Sequence, residues 1–593
     1  MKTALNWITA PPRDLFCFSF LLVICLVVFS IAAKNPLEIG EDLDDRMRLV
    51  QIAEYLSHGL WFDVGQSRLG LDGGIEMHWS RLVDLPILVL HWIFSFFVSD
   101  ELALSLACAV WPVMSVGFVV WGISLGMGDL KGKYVRAFVL LIAFIVLYRH
   151  YRFMPGAIDH HNLQLGCLAI AMGATLRAHA RLIYPAIAAV AVSVSVVIGA
   201  EVYALIAVLC AFYAFEWALY GNEVKRAVQV FGLVLLGSLI VLYPVFVAPT
   251  NYLSKACDAL SSVPLFAFAM GGLGLAAMAQ FAVGLSKLMR TCLILIFAAV
   301  CLIALGVYAP ACLHDPLSDL SPTVRILWLG QIAEARPIYA ASPDMLRQVG
   351  FSAGMTLTAI VVSSYRIWQG KRVRFHALCL ALLLASAILT VVQSRFYVFG
   401  HIFAILPLGV WCGELFAKSR EDDRGGIGYL LAVSVSTPLV WAVPGMIFGP
   451  PLPKPPVAVD GVMIETCEGE PAMAALNGLP EGRVLATPDI APHLLQYTSH
   501  SVLTGNYHRN KDGIEAAIYI ALSESAESEE LLVDAGVNYV LFCPTVSNTK
   551  RLILETPDGL YARLAEKEAQ PFLTLEASAE DGETWSIYRV LER

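Results

Sequence analysis

Apolar runs of near-spanning length recur along almost the whole of this chain, separated by short basic clusters, and that alternation leaves few folds open to it. The runs fall at roughly 15–33, 102–125, 136–149, 163–176, 182–199, 203–220, 228–247, 262–284, 291–309, 352–366, 376–393, 397–417 and 428–447, and a bilayer-crossing helix needs about 20 mostly apolar residues. The clusters between them are Lys131, Lys133 and Arg136; Arg177 and Arg181; Lys225 and Arg226; Lys287 and Arg290; Arg366, Lys371, Arg372 and Arg374; and Lys418, Arg420 and Arg424. Cytoplasmic loops concentrate Lys and Arg. With Lys2 and Arg13 inside, thirteen crossings place every cluster on that one side. Only 15% of residues are charged and 58% are hydrophobic, against about a quarter charged in soluble domains. The expected fold is therefore a polytopic α-helical membrane protein. The net charge of −9 says little, because the two signs are segregated along the chain.

The threading leaves the long loop 34–101, the turn 148–162, the loop 311–350 and everything after Pro450 on the other, outer side. The first apolar run lacks a small-residue cleavage site, so it reads as a retained helix and not a signal peptide. The piece Leu85 to Val98 is read as an interfacial or re-entrant helix. We expect a transmembrane domain over 1–448, a Pro-rich linker (GPPLPKPPVA) over 449–458 and a soluble α/β domain over 459–593. That last domain shows strand text around Arg483–Ala486, Ser501–Gly505 and in NYVLFC, with helical text from Ile514 to Ala535. Most of the thirteen cysteines lie in apolar runs and behave as small hydrophobes. Cys467 and Cys543 share the soluble domain, and a disulfide between them is open if that domain is exported.

Candidate chemistry lies on the outer side. Glu41, Asp42, Asp44 and Asp45 stand just past the first run, ahead of a helix whose expected inner face is Leu49, Ile52, Ala53, Leu56 and Leu60. They either cap that helix or serve metal or phosphate chemistry. Asp159, His160 and His161 occupy a very short turn; Asp159 is either a helix cap or, with the histidines, a metal ligand. Arg149 and Arg152 flank that turn. Glu334 in QIAEARP and Arg395 in QSRFYVFG sit at further loop junctions, and Glu201 in GAEVY is either a turn residue or a buried acid. Carboxylates and imidazoles hold divalent cations, and arginine's planar fork matches phosphate oxygens. Their convergence on one side suits a cation bound with a phosphate leaving group.

The arrangement resembles the catalytic subunits of oligosaccharyltransferases, in the GT-C glycosyltransferase superfamily: thirteen crossings, a long first outer loop and a C-terminal outer domain. In the first loop, DDRMRLVQIAEYL followed by WFD at 61–63 is similar to the family's text, and the resemblance puts the metal-binding and catalytic aspartate on Asp45. MHWSRLVDLPI resembles the end of that loop. Asp159-His160-His161 is similar to the Asp-x-His form of the second motif, which gives Asp159 and His161 the metal-ligand role. QIAE, ending at Glu334, resembles the Thr-x-x-Glu motif with Gln331 in place of the hydroxyl residue. Arg395 stands where the family has an Arg-Phe pair that contacts the lipid-linked pyrophosphate. One departure is plain: the acceptor-reading Trp-Trp-Asp-Tyr-Gly motif is absent, and beyond Trp441 the only tryptophan is Trp585.

The resemblance implies a bacterial inner-membrane glycosyltransferase with a cytoplasmic N-terminus and a periplasmic C-terminal domain. Its donor would be a polyprenyl-phosphate- or pyrophosphate-linked sugar or oligosaccharide, its acceptor a periplasmic glycan, lipid or protein, and its cofactor Mg²⁺ or Mn²⁺. No nucleic-acid partner is expected. Catalytic roles fall to Asp45 and Glu334, metal ligation to Asp45, Asp159 and His161, and donor phosphate binding to Arg395; Arg149 and Arg152 join it as further phosphate contacts from their place beside the turn, not from the family. Asp42, Asp44 and His160 are secondary candidates. A metal-independent transferase and a lipid-linked glycan transporter or flippase remain open beside this reading.

Overall fold

In the computed structural model, the structure describes residues 42–591 except 129, 131, 149, 315–319, 341–344, 422–425 and 450–465. The expected first crossing, Glu41, Arg149 and almost all of the Pro-rich linker lie outside the described residues. The chain divides into two compact units. The first takes in Trp79–Pro316 and Arg336–Pro450; the second takes in Glu41–His78, Leu317–Ala335 and Pro451–Arg593.

The first unit is helical. Among the described residues, seven helices are long and apolar enough to cross a membrane: Asp100–Met127, Ala200–Glu223 (including its 3₁₀ ends), Lys225–Phe246, Ser262–Phe281, Lys287–Tyr308, Val373–Val392 and Ser394–Ser419. Shorter apolar helices cover Tyr134–Leu147 and Ile183–Ile198, and further helices span His161–Leu176 and Met345–Trp368. The expected run 428–447 is not one straight helix. Gly426–Val435 and Pro438–Phe448 meet at 76°, where Thr437 turns extended ahead of Pro438, as the residue before a proline is driven to do.

Small residues let the helices meet. A Cβ on Gly122 would lie 2.2 Å from the Ala169 carbonyl carbon, and one on Gly173 only 2.0 Å from the Gly122 oxygen. The Asp100–Met127 and His161–Leu176 helices therefore touch backbone to backbone. Between membrane helices, packing replaces the hydrophobic effect as the adhesive force, so close approach is where stability comes from. Outward faces stay apolar: Leu295, Ile303 and Val307 of the Lys287–Tyr308 helix are exposed. The expected interfacial piece begins earlier than its text, at Arg81, because Ser80 caps Leu82 and Arg81 pairs with Asp84 at 3.1 Å. At 14 residues (Arg81–Phe94) it is too short to span. Trp92 on this helix and Phe96 and Phe97 just past its end are exposed. Cys257 and Cys312 form a disulfide that ties two inter-helix loops.

The second unit is built on a mixed sheet. Its strands are β1 (Gly65–Gln66), β2 (Ile75–Glu76), β3 (Arg483–Leu485), β4 (Ser501–Val502), β5 (Val537–Phe542), β6 (Leu573–Ser578) and β7 (Ser586–Val590). β1 and β2 form a hairpin; the other five run in the order β4-β3-β5-β7-β6. β4, β3 and β5 are parallel, while β7 and β6 add antiparallel. The expected strands near 483 and 501 and in NYVLFC are present. The helical text of 514–535 splits into Lys511–Leu522 and Ser525–Asp534. The first-loop segment closes the β4 edge: Gly70 N donates to Val502 O, and Val502 N to Arg68 O, both at 2.8 Å. Arg68 also donates to the carbonyls of Leu495 and Thr498 at 2.7 and 2.9 Å. Cys467 and Cys543 are joined in a disulfide.

The helix Leu43–His58 corrects one expectation. Asp42 caps it by accepting from Asp44 N, and Gly59 ends it in the left-handed region. The buried positions are Asp45, Met47, Arg48, Val50, Gln51 and Ile52, whereas Ala53, Leu56 and Leu60 are exposed. Polar partners decide which face is covered: Gln51 donates to Val64 O, and Arg46 to Gln496 and Tyr497.

Candidate active site

Two elements bring the second-loop motif to its geometry. The turn after the Lys133–Leu147 helix tightens into a 3₁₀ segment, Tyr151–Phe153. It then reverses at Gly156, whose φ of 86° favours glycine. Asn162 Nδ2 donates to Ala157 O at 2.9 Å and ties the turn to the next helix. That helix starts at His161 with His160 as N-cap and no side-chain capping bond. Asp159 is therefore not the helix cap. Its carboxylate turns to the two histidines.

The resulting cluster is dense. His160 Nδ1 lies 2.5 Å from Asp159 Oδ1, and His160 Nε2 lies 3.2 Å from Glu201 Oε2. His161 Nε2 is 3.4 Å from Asp159 Oδ2, and its Nδ1 is 3.5 Å from Glu201 Oε2. Arg152 stands 3.8 Å from Asp159 Oδ2, and Arg395 pairs with Glu201 Oε1 at 2.8 Å. Asp159 and Arg152 are nearly closed off, with side chains 3% and 6% exposed, but Glu201 and Arg395 keep 22% and 25%. The cluster thus opens toward the Glu201–Arg395 side. Burial opposes a charge on His160, yet the Asp159 and Glu201 carboxylates outweigh it and push this imidazole up to about 10.

Glu201 settles an open reading: it sits in the 3₁₀ turn Ala200–Val202 and completes the cluster. Its sequence signal was an acid isolated between two apolar runs. Gln164 carried no signal. It is fully buried, and neither of its amide atoms has a partner among the described residues. Its N–H donates to His160 O, so its side chain lies about 5–6 Å along the same helix face from the histidines.

Of the other expected residues, Asp42 and Asp44 serve the start of the Leu43–His58 helix in the second unit, where Asp45 is buried at 3% exposure. Glu334 sits half-buried in the 3₁₀ turn Ala333–Ala335 of that unit.

The donor set fits a divalent cation. One ligand atom each from Asp159, His160 and His161 lie within 4.8 Å of one another, and Glu201, against both histidines, adds a carboxylate oxygen. An imidazole ligand such as His161 favours Mn²⁺ or a later transition metal over Mg²⁺, which prefers all-oxygen sites.

A helical unit with membrane-length apolar helices and a mixed α/β unit define a helical membrane protein that shares its fold with solved glycosyltransferases. Its likeness is to the oligosaccharyltransferase AglB of Archaeoglobus fulgidus, solved with an inhibitory peptide and a dolichol-phosphate. The TM-score is 0.68 and identity 16%, over 98% of this chain and 74% of that one. The Archaeoglobus fulgidus oligosaccharyltransferase in complex with Zn and sulfate matches at a TM-score of 0.63 and 14% identity, over 96% and 72%. The arabinofuranosyltransferase AftD from Mycobacteria matches at 0.50 and 13%, over 98% of this chain but only 42% of its own length. At these identities the likeness is one of fold. No family model and no curated protein matches the sequence.

Proposed function

We propose that this protein is a membrane glycosyltransferase that moves a sugar or oligosaccharide from a polyprenyl-phosphate or polyprenyl-pyrophosphate donor to a periplasmic glycan, lipid or protein. The observation that carries the reading is the buried Asp159–His160–His161–Glu201 cluster, open beside Arg395. Asp159, His161 and Glu201 would hold a divalent cation, Mn²⁺ in preference to Mg²⁺, which would neutralise charge on a leaving phosphate when bound. Arg395, half-exposed, offers its fork to the phosphate oxygens. Arg152, buried on Asp159, holds that carboxylate in place. Asp45 is assigned to orient or deprotonate the acceptor hydroxyl or amide, a role worth about 10²–10⁴-fold, and Glu334 to support it.

The topology belongs to the same proposal: thirteen crossings in a bacterial inner membrane, with the N-terminus inside, a transmembrane domain over 1–448 and a periplasmic domain over 459–593. Both disulfides, Cys257–Cys312 and Cys467–Cys543, fall on segments this threading puts outside, where oxidation is favoured. Of these acceptors a polysaccharide, lipid or lipid-A-type glycan is favoured over a protein sequon, since the Trp-Trp-Asp-Tyr-Gly text is absent.

Mn²⁺ binding followed by electron paramagnetic resonance tests the reading, with wild type, Asp159→Asn and Asp45→Asn in detergent. We expect wild type to bind about one ion and Asp159→Asn to lose it; the Asp45→Asn arm measures whether the first-loop acid shares in ligation. A second reading has its own observation. His160 already sits between two carboxylates, so an imidazolium can supply positive charge without metal. Full transfer after exhaustive chelation would establish that reading and end the metal-dependent one.

A further inference from the structure

The second unit carries a groove of about 600 Å³ that none of the roles above uses. Its walls come from three helices, Leu43–His58, Glu470–Asn477 and Ala491–Tyr497, and from the segment before the second of them. Arg46, Glu468, Glu470, Asn477, His493 and Tyr497 line it. Tyr497 is half exposed and held from both sides: Arg46 Nη1 lies 3.4 Å from its hydroxyl, and Asn477 Nδ2 donates to its carbonyl at 2.8 Å. Arg46 is itself fixed by Gln496 Oε1 at 3.2 Å. At the base, His493 is 8% exposed and its Nδ1 has no partner among the described residues. Its Nε2 is 3.9 Å from Glu468. Burial, with Arg46 nearby, pushes the His493 imidazole down to about 4, so at neutral pH it offers one donor and one acceptor nitrogen.

The geometry points to a saccharide-binding groove. A pyranose or furanose presents an apolar C–H face and a rim of neighbouring hydroxyls. Tyr497 offers a ring whose negative π-face suits polarised C–H bonds. Glu468, Glu470, Asn477 and Arg46 offer planar polar ends that take paired hydroxyls, and the neutral His493 can both donate and accept. Other ligand classes fit less well. Two carboxylates repel a polyanion, and the walls are too polar for an acyl chain. Only helices and the short segment before one of them line the groove, so an extended peptide finds no strand edge to pair with. Arg46 follows the candidate acid Asp45 in the first turn of one helix, which connects the groove to the acceptor side of the proposed transfer. That placement in the reaction rests on the proposed function; sugar binding itself does not.

Two sources share this chemistry, the acceptor glycan and the sugar end of the lipid-linked donor. The experiment begins without donor or metal: saturation-transfer NMR on the full chain in detergent with maltohexaose, chitohexaose and xylohexaose. We expect at least one to bind wild type, Tyr497→Ala and Glu468→Gln each to weaken it about tenfold, and Tyr497→Phe to retain it. No binding by any of the three, binding equal in the Ala and Gln variants, or displacement by a six-residue peptide overturns the proposal. Transfer assays then separate the sources. A raised KM for acceptor places the acceptor there, and a raised KM for donor places the donor sugar. If the transferase reading fails, turnover is absent while hexasaccharide binding and its loss in Tyr497→Ala persist.

Discussion

At the scale of single residues, the cluster is decided by which polar atoms are shared and which are left over. Glu201 is shared among His160, His161 and Arg395. Glu201→Gln removes its charge but keeps its shape. We expect Mn²⁺ affinity to fall by about 10–100-fold, the range for lost orienting partners, with thermal stability nearly kept. Titration of the variant by electron paramagnetic resonance checks it, and wild-type affinity would exclude Glu201 from the site. Gln164 makes the opposite case. A buried amide with no protein partner costs about 1–3 kcal/mol, so Gln164→Leu should raise the melting temperature in detergent while lowering transfer. A lower melting temperature would show that the amide is satisfied in the folded protein and belongs to packing. Neither residue was placed by sequence pattern. Asp159, His160 and His161 stood out because three titratable groups crowd a turn of membrane-length helices. Glu201 stood alone: His160 lies 41 residues upstream of it and Arg395 far downstream, a pairing only the fold supplies.

At the scale of elements, helix positions were the most legible part, because a spanning helix must be apolar for its full length whatever it packs against. The expected run 203–220 and the observed helix Tyr203–Tyr220 coincide. Faces were less legible. The Leu43–His58 helix buries Arg48 and Gln51 and exposes Leu56, since side-chain hydrogen bonds and not apolar periodicity fix its contact side. β6 and β7 were missed because their strands carry charge and alternate weakly, LTLEAS and SIYRV. Helix contacts yield a prediction of their own. Gly122→Leu drives a side chain into the Ala169 backbone and must part the two helices. We expect about 1–3 kcal/mol of destabilisation or more and loss of Mn²⁺ binding with it, because the partner helix begins at His161. Gly117→Leu, on the same helix but facing open space, should leave both unchanged. Thermal denaturation of the two variants side by side separates helix contact from helix propensity.

For the whole molecule, the question is which side of the membrane the chemistry faces. Basic clusters and disulfides bear on it through unrelated physics: one reflects how charged loops resist translocation, the other the redox state of a compartment. In the proposed threading, Cys257–Cys312 and Cys467–Cys543 both fall on stretches opposite the Lys and Arg clusters. Among the other described cysteines, the buried Cys167, Cys379 and Cys412 are not disulfide-bonded. If the threading is right, both bridges form in a bacterial host and the first-loop acids, the Asp-His-His turn and the saccharide groove all face the periplasm. Removing the Cys467–Cys543 bridge by Cys543→Ala opens a loop closed across 76 positions, and we expect about 2–5 kcal/mol lost from the unit that holds it. Alkaline phosphatase fused after the last residue should be active and a cytoplasmic fluorescent fusion at the same point dark. Thiol alkylation of whole cells should leave Cys467 unmodified until a reductant is added. An active fluorescent fusion would place the C-terminal unit inside, where glutathione would hold both cysteines reduced. The candidate acids of that unit would then face the cytoplasm, and the proposal of a periplasmic acceptor would fall.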